Sequence, residues 1–212
     1  MMKSFVPLIL AAGLATGPVA LAFAQSNRVP LPQASPPTAS SKPVAGKKAP
    51  FELAKDLDGL FKQLGRTSDS KLADRISTRI WEIWHTSDSK SVDLLTKWAR
   101  TASGKRSFNV ALDLLDQVVA LRPNYAEGFN QRATLHFMME NYGKSIADIE
   151  RTLALEPRHY GALAGLATIL ERIGEKDRAL ETWHRVLSVY PAMTNAQDSV
   201  VRLEEELAGN RI

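Results

Sequence analysis

The sequence predicts an all-α protein: a solenoid of stacked antiparallel helix pairs, closed at its C-terminal end by one further helix. Three observations point there. After residue 50 only three prolines remain, Pro123, Pro157 and Pro191, and successive ones lie 34 residues apart. When 92–125, 126–159 and 160–193 are aligned on that spacing, small residues fall into two columns. These are Ala99, Ala133 and Ala167 at the eighth position, and Ala111, Ser145 and Ala179 at the twentieth. Larger apolar residues recur at the fourth (Leu95, Phe129, Leu163), twenty-first (Leu112, Ile146, Leu180), twenty-fourth (Leu115, Ile149, Trp183) and twenty-eighth (Val119, Leu153, Leu187). A fixed period of this length is the mark of a repeat architecture.

The N-terminus reads as an address. Residues 1–24, MMKSFVPLILAAGLATGPVALAFA, place a positive start before a long apolar stretch and end on Ala22-Phe23-Ala24. That is the pattern of a secretory signal peptide cleaved after Ala24; the competing reading is an uncleaved anchor, since residues 4–24 are just long enough to span a bilayer. With no later apolar run of comparable length, no stable membrane insertion is expected once the leader is removed. The signal style points to a bacterial, periplasmic or secreted destination. Residues 25–50 hold six of the eleven prolines among Ser, Ala, Lys and Thr. Such a segment buries too little apolar surface to offset its ordering entropy and is expected to be a disordered spacer.

Residues 51–91 predict a degenerate N-terminal helix pair, 51–64 and 70–86, with Asp69 or Ser70 capping the second. Trp81 and Trp84 are expected to pack on the first repeat near Trp98. In each repeat that follows, the small columns let paired helices approach closely, and the apolar columns sit at helical spacing around that contact. Proline at position 32 cannot continue a helix and biases its predecessor toward extended backbone, so it separates one pair from the next. Residues 194–208 suit an amphipathic capping helix, with Val200, Val201, Leu203 and Leu207 near one face and Glu204, Glu205 and Glu206 opposite; 209–212 are tail. A polar-backed terminal helix is what a stack of repeats needs for solubility.

The small–small–proline signature, in phase three times over 92–193, resembles the tetratricopeptide-repeat family. The resemblance implies a right-handed α-solenoid of the tetratricopeptide type. Position 27, usually alanine in the family, holds Val118, Thr152 and Val186, and looser or shifted packing of the second helices is expected there. Position 7 holds Trp98, Arg132 and Leu166. Because that column faces a neighbouring helix, Arg132 is expected to pair with Asp148 or Glu150, since an unpaired buried guanidinium is costly; the alternative is an anchor facing a ligand.

Composition excludes several chemistries. With no cysteine there is no disulfide, thiol nucleophile or Cys-ligated zinc. The net charge of +4 is misleading: Lys3, Arg28, Lys42, Lys47 and Lys48 precede residue 51, which leaves 22 basic side chains against all 23 acids beyond it. A nucleic-acid partner is therefore not expected. No phosphate-binding glycine loop, nucleophile elbow or paired-histidine zinc motif occurs. His136 is expected in the packing, and His159 and His184 at turns or in solvent. No catalytic residue, cofactor or metal is assigned.

The resemblance implies instead a protein or peptide bound in the concave groove lined by the first helix of each repeat. The positions that carry it are Asp93, Thr96 and Arg100, with Ser103, in repeat one. Repeat two supplies Glu127, Asn130, Thr134, Phe137 and Met138. Repeat three supplies Thr168, Glu171 and Arg172, with Ala164. Aromatic, Met and Arg side chains are the kinds that carry interface energy. The clamp for a C-terminal carboxylate found in some members is broken here, with Thr96 at a lysine position and Gly161 and Gly165 where cations would stand. The expected role is an exported interaction scaffold in cell-envelope assembly or maintenance. The alternatives are a small-ligand or cell-wall-binding accessory domain of an envelope enzyme complex, and a weakly self-associating repeat.

Overall fold

The computed structural model describes residues 50–209. The leader expected over 1–24, the spacer up to residue 49 and the last three residues of the tail lie outside them. Nine helices and no strand occur among the described residues. In order they are α1 (Pro50–Leu64), α2 (Ser70–Trp84), α3 (Lys90–Gly104), α4 (Phe108–Leu121), α5 (Ala126–Met138), α6 (Tyr142–Leu155), α7 (Tyr160–Arg172), α8 (Lys176–Val189) and α9 (Thr194–Gly209).

The pairs α3/α4, α5/α6 and α7/α8 pack within themselves, and α4 on α5, α6 on α7 and α8 on α9 join them into a stack. The two small columns sit at the pair contacts: Ala99, Ala133, Ala167, Ala111, Ser145 and Ala179 are all buried. The one hydroxyl among them is used, since Ser145 Oγ donates to the Ala133 carbonyl at 2.8 Å. Each second helix ends two residues before its proline, at Leu121, Leu155 and Val189.

Within each pair the turn has one recurring backbone feature. Arg106, Glu140 and Gly174 occupy the same position of the repeat with φ of 58°, 58° and 85°. The amide that follows each one donates back across the helix end at 2.9 Å: Ser107 to Ala102, Asn141 to His136 and Glu175 to Leu170. This closes the helix as a left-handed C-terminal cap. Only the third repeat uses glycine, the residue that adopts this backbone without strain.

Position 27 is not loose. Val118, Thr152 and Val186 are all fully enclosed. The extra bulk is taken up by small residues at position 3 of the next first helix, where Gly128, Ala162 and Ala196 are buried. A Cβ on Gly128 would stand 2.8 Å from Val118 Cγ1.

The N-terminal pair departs from the expected stacking. Trp98 is 51% exposed. Trp81 and Trp84 pack instead on the start of repeat three. Trp84 stacks on His159 with ring centroids 4.0 Å apart and planes 6° from parallel, and Trp81 meets Tyr160 edge-on at 5.8 Å. The aromatic side chains explain the choice. Gly161 lets the Trp81 ring lie against the α7 backbone, where a Cβ would come within 2.8 Å of it. Polar ties support the seat: Tyr160 Oη with Ser77 Oγ at 3.0 Å, Tyr190 Oη donating to Asp74 at 2.8 Å, and Arg158 donating to Asp58 at 2.7 Å. The Arg158 guanidinium also lies 4.3 Å over the Phe61 ring.

Candidate functional site

The first helices α3, α5 and α7 face a common channel, and the C-terminal end of α2 closes part of it. Glu127, in the first turn of α5, is the buried centre of this contact, 2% exposed. Its carboxylate faces four N–H donors, two per oxygen. Oε1 accepts from Gln131 Nε2 at 2.8 Å and His85 Nε2 at 3.2 Å; Oε2 accepts from Asn130 Nδ2 at 2.9 Å and His159 Nε2 at 3.3 Å. Burial alone would raise its pKa, but the bonds from His159, His85 and Gln131 outweigh burial and hold it at about 2.

The two histidines differ in their protons. His159 Nδ1 accepts the Ala162 amide at 3.1 Å, capping α7, so its hydrogen is on Nε2 and is given to Glu127. This arrangement removes the lone pair with which that ring would ligate a metal. His85 faces two acceptors, the Trp81 carbonyl at 2.8 Å from Nδ1 and Glu127 at Nε2. Both nitrogens must donate, so the charged imidazolium is favoured. Its pKa is raised, mainly by the bond to Glu127, against burial and the Arg100 charge.

The expected groove residues divide into two groups. Thr96 is buried, with Oγ1 donating to the Val92 carbonyl at 2.7 Å, and it offers no surface to a ligand. Asp93 accepts the Ser87 amide and hydroxyl at 2.7 and 2.6 Å and fixes the α2–α3 connection. Glu171 accepts the Trp183 indole N–H at 2.6 Å and pairs with Arg202, so it ties α7 to α8 and α9. Glu127 belongs to the clasp just described. Thr96 and Asp93 find their partners locally, whereas Glu127 and Glu171 draw partners from neighbouring helices through the stacking.

The remaining residues line open space. A cavity of about 400 Å³ lies between α2, α3, α4 and α5, walled by Trp81, Arg100, Leu115, Asn130, Thr134 and Leu135. Ser103 closes one edge, 3.7 Å from the half-exposed Met138. A second cavity of about 140 Å³ lies between α5 and α7, where Asn130 and Thr134 recur beside Phe137, Gly161, Gly165 and Thr168. Arg172 stands 5.0 Å over the Phe137 ring. The half-buried Ala164 lines neither cavity.

Arg132 is structural. Its Nε and Nη2 reach both oxygens of Asp148 at 2.8 and 2.7 Å, and Nη1 reaches Asp116 at 2.8 Å. Of the two expected partners, Asp148 is the one engaged, and Asp116 on α4 adds a third contact across the repeat boundary. His136 is buried as expected. His159, expected at a turn or in solvent, is at a turn but fully enclosed under Trp84. Sequence reasoning missed it because its partners lie 32 and 75 positions away, on Glu127 and Trp84. The available signal was its place immediately before a helix, where a side-chain acceptor caps free amides.

No family model matches the chain. It is 48% identical over 155 residues to a TPR repeat-containing protein of Rhizobium etli, covering 73% of this chain and 76% of that one. Among solved structures it resembles MamA, with TM-score 0.52, 23% identity, and coverage of 68% of this chain and 85% of that one. It also resembles the first TPR of Spaghetti (RPAP3) bound to the HSP90 peptide SRMEEVD, with TM-score 0.54, 17% identity, and coverage of 57% and 96%.

Proposed function

Because the chain belongs to the tetratricopeptide-repeat family, we propose that it is a binding module rather than a catalyst, and that it takes an extended segment of a partner protein along α3, α5 and α7. The observation that carries this is the charge inventory of the channel. Every acid on it is engaged, Asp93 with Ser87, Glu127 with two histidines and Glu171 with Arg202. Arg100 and Arg172 have no carboxylate partner among the described residues. Apolar floor (Leu115, Leu135, Phe137) and polar groups shared by both cavities (Asn130, Thr134) suit alternate side chains and backbone of an extended peptide. The HSP90 peptide carried by the RPAP3 domain supports a peptide as the ligand class.

The module acts outside the cytoplasm, in assembly or maintenance of the cell envelope. The charged start, apolar stretch and Ala-x-Ala end of residues 1–24 support export, and the proline-rich segment behind them suits a spacer holding the repeats off a surface. Crosslinking and capture from the exported fraction tests the binding, with Phe137→Ala and Arg100→Ala as controls. Loss of the same partner from both variants is expected. Retention of every partner by both would remove the channel as the site. Cell fractionation with N-terminal sequencing tests export: a chain starting at Gln25 is expected, and an intact cytoplasmic chain would refute it.

One observation favours the second reading, a small-ligand or cell-wall-binding accessory domain: the larger cavity has His85 and Glu127, both with displaced pKa values, on its wall. These two groups neutralise each other, however, and leave Arg100 as the unpaired charge facing that space. Calorimetry with cell-wall fragments distinguishes the readings, since binding of a fragment that competes with the captured partner would favour the second.

A further inference from the structure

Both ends of the repeat stack are one helix short. Positions 3 and 7 of each inner first helix face the second helix of the preceding pair: Gly128 meets Val118, and Arg132 reaches Asp116 on α4. On α3 those same positions are Leu94 and Trp98, and they are 44% and 51% exposed, because α1/α2 is seated on repeat three and makes no extensive contact with α3. At the other end α9 stands as a first helix without its second. Position 8, fully covered as Ala99, Ala133 and Ala167, is Val201 there and is 55% exposed.

The two bare faces match in charge and spacing. At helical periodicity Lys90, Leu94, Lys97, Trp98 and Thr101 share one side of α3. Thr194, Asp198, Val201, Glu205 and Ala208 share one side of α9. Lys90, Lys97, Asp198 and Glu205 are exposed, and none has an ion-pair partner among the described residues. Lys90 and Lys97 are seven residues apart, as are Asp198 and Glu205, roughly 10 Å along either helix. In each set the apolar residue falls four positions from one charge and three from the other. Laid antiparallel, Lys90 meets Glu205, Leu94 meets Val201, and Lys97 meets Asp198.

We propose that α3 of one copy docks antiparallel on α9 of a second copy, so that the chains join head to tail. The contact is heterologous, with different surfaces on the two partners, and it leaves a free α3 and a free α9 at the ends of every open complex. It covers the exposed Trp98, an aromatic of the kind that anchors interfaces, and gives four unpaired charges their partners. It uses none of the channel residues, so it stands apart from the proposed peptide binding.

Sedimentation velocity on the full chain, as the cell delivers it, tests this. Association growing with concentration and weakening with added salt is expected. Lys90→Glu with Lys97→Glu should weaken it at least about tenfold, and Asp198→Lys with Glu205→Lys should do the same, through like charges brought together. The positions are exposed, and unchanged helical circular dichroism and melting confirm that each variant folds. An equimolar mixture of the two variants should associate again, because the reversed α3 of one then faces the reversed α9 of the other. A chain that stays monomeric up to about 1 mM overturns the proposal. So does a mixture that fails to associate, or an α3 reversal that acts while the α9 reversal does not. Capture of monomers on phosphatidylserine vesicles through the α3 lysines would also overturn it and make the face a membrane contact.

Discussion

Nε2 of His85 stands 3.2 Å from Oε1 of Glu127 and ties the end of α2 to the first turn of α5. The pair makes the seat of the N-terminal hairpin depend on pH. His85 has a raised folded pKa, so its contribution is complete below its ordinary value of 6.5 and is lost as pH rises through the raised one. Glu127 has a lowered folded pKa, so its contribution is complete above the ordinary 4.5 and is lost as pH falls toward about 2. The clasp is therefore tightest between those two ordinary values. Arg100, facing the same space from α3, opposes the His85 charge. Hydrogen exchange in α1 and α2, corrected for intrinsic rate, should quicken from pH 6 to pH 9, and His85→Phe should flatten that dependence. An unchanged profile in the variant would falsify the clasp.

Glu127 accepts four hydrogen bonds in a buried site. Glu127→Ala leaves four donors without their acceptor and the charged His85 without its counter-ion. We expect a loss of about 3 kcal/mol in denaturant unfolding. A loss under about 0.5 kcal/mol, the size of an ordinary surface substitution, would show that water replaces the carboxylate without cost.

Two glycines four residues apart on α7 should respond with opposite sign to alanine. At Gly161 the new methyl would stand 2.8 Å from the Trp81 ring, and at Gly165 its nearest neighbour, Ile149 Cδ1, is 3.6 Å away. Gly161→Ala should destabilise by about 1–3 kcal/mol through overpacking and shift tryptophan fluorescence as the hairpin lifts. Gly165→Ala should stabilise by about 0.5–1 kcal/mol, the ordinary gain in a helix interior, while narrowing the smaller cavity. Equal effects at the two sites would mean that Trp81 does not lie on α7.

The left-handed turn residues offer a third comparison. Glu140 and Arg106 hold φ of 58°, where a side chain costs about 1 kcal/mol or more and glycine costs nothing. Glu140→Gly should raise the melting temperature, and Gly174→Ala, at φ of 85°, should lower it. The two substitutions exchange the same strain in opposite directions, so thermal melts of the pair check one against the other.

Arg132→Lys should cost about 1–2 kcal/mol, because a single ammonium cannot reach both Asp148 oxygens and Asp116 together. Asp116→Asn should cost far less, since Asp116 is half-exposed and its pairing is screened. A double-mutant cycle of Arg132 with Asp148 reads the coupling directly.

What the sequence determined by itself is the repeat. Helical periodicity and a proline every 34 residues are local, and the close approach within a pair needs only small residues at two fixed positions, as Ala133 and Ser145 show. The pairing of Arg132 with Asp148 was legible for the same reason, since both stand on one helix pair, 16 positions apart. The tertiary structure decided where the first pair goes. Its seat depends on the fit of Trp81 to Gly161, the stacking of Trp84 on His159, and Glu127 between two histidines. Those partners are 32 to 80 positions apart in the chain and meet only once the helices have stacked. That seat engages Glu127 in the clasp, closes part of the channel beside Arg100, and leaves Trp98 uncovered at the end of the array. Periodicity describes what each helix does to its neighbour in sequence. Burial of aromatic surface and of one carboxylate, which depends on three-dimensional shape, selected the distant contact over the near one.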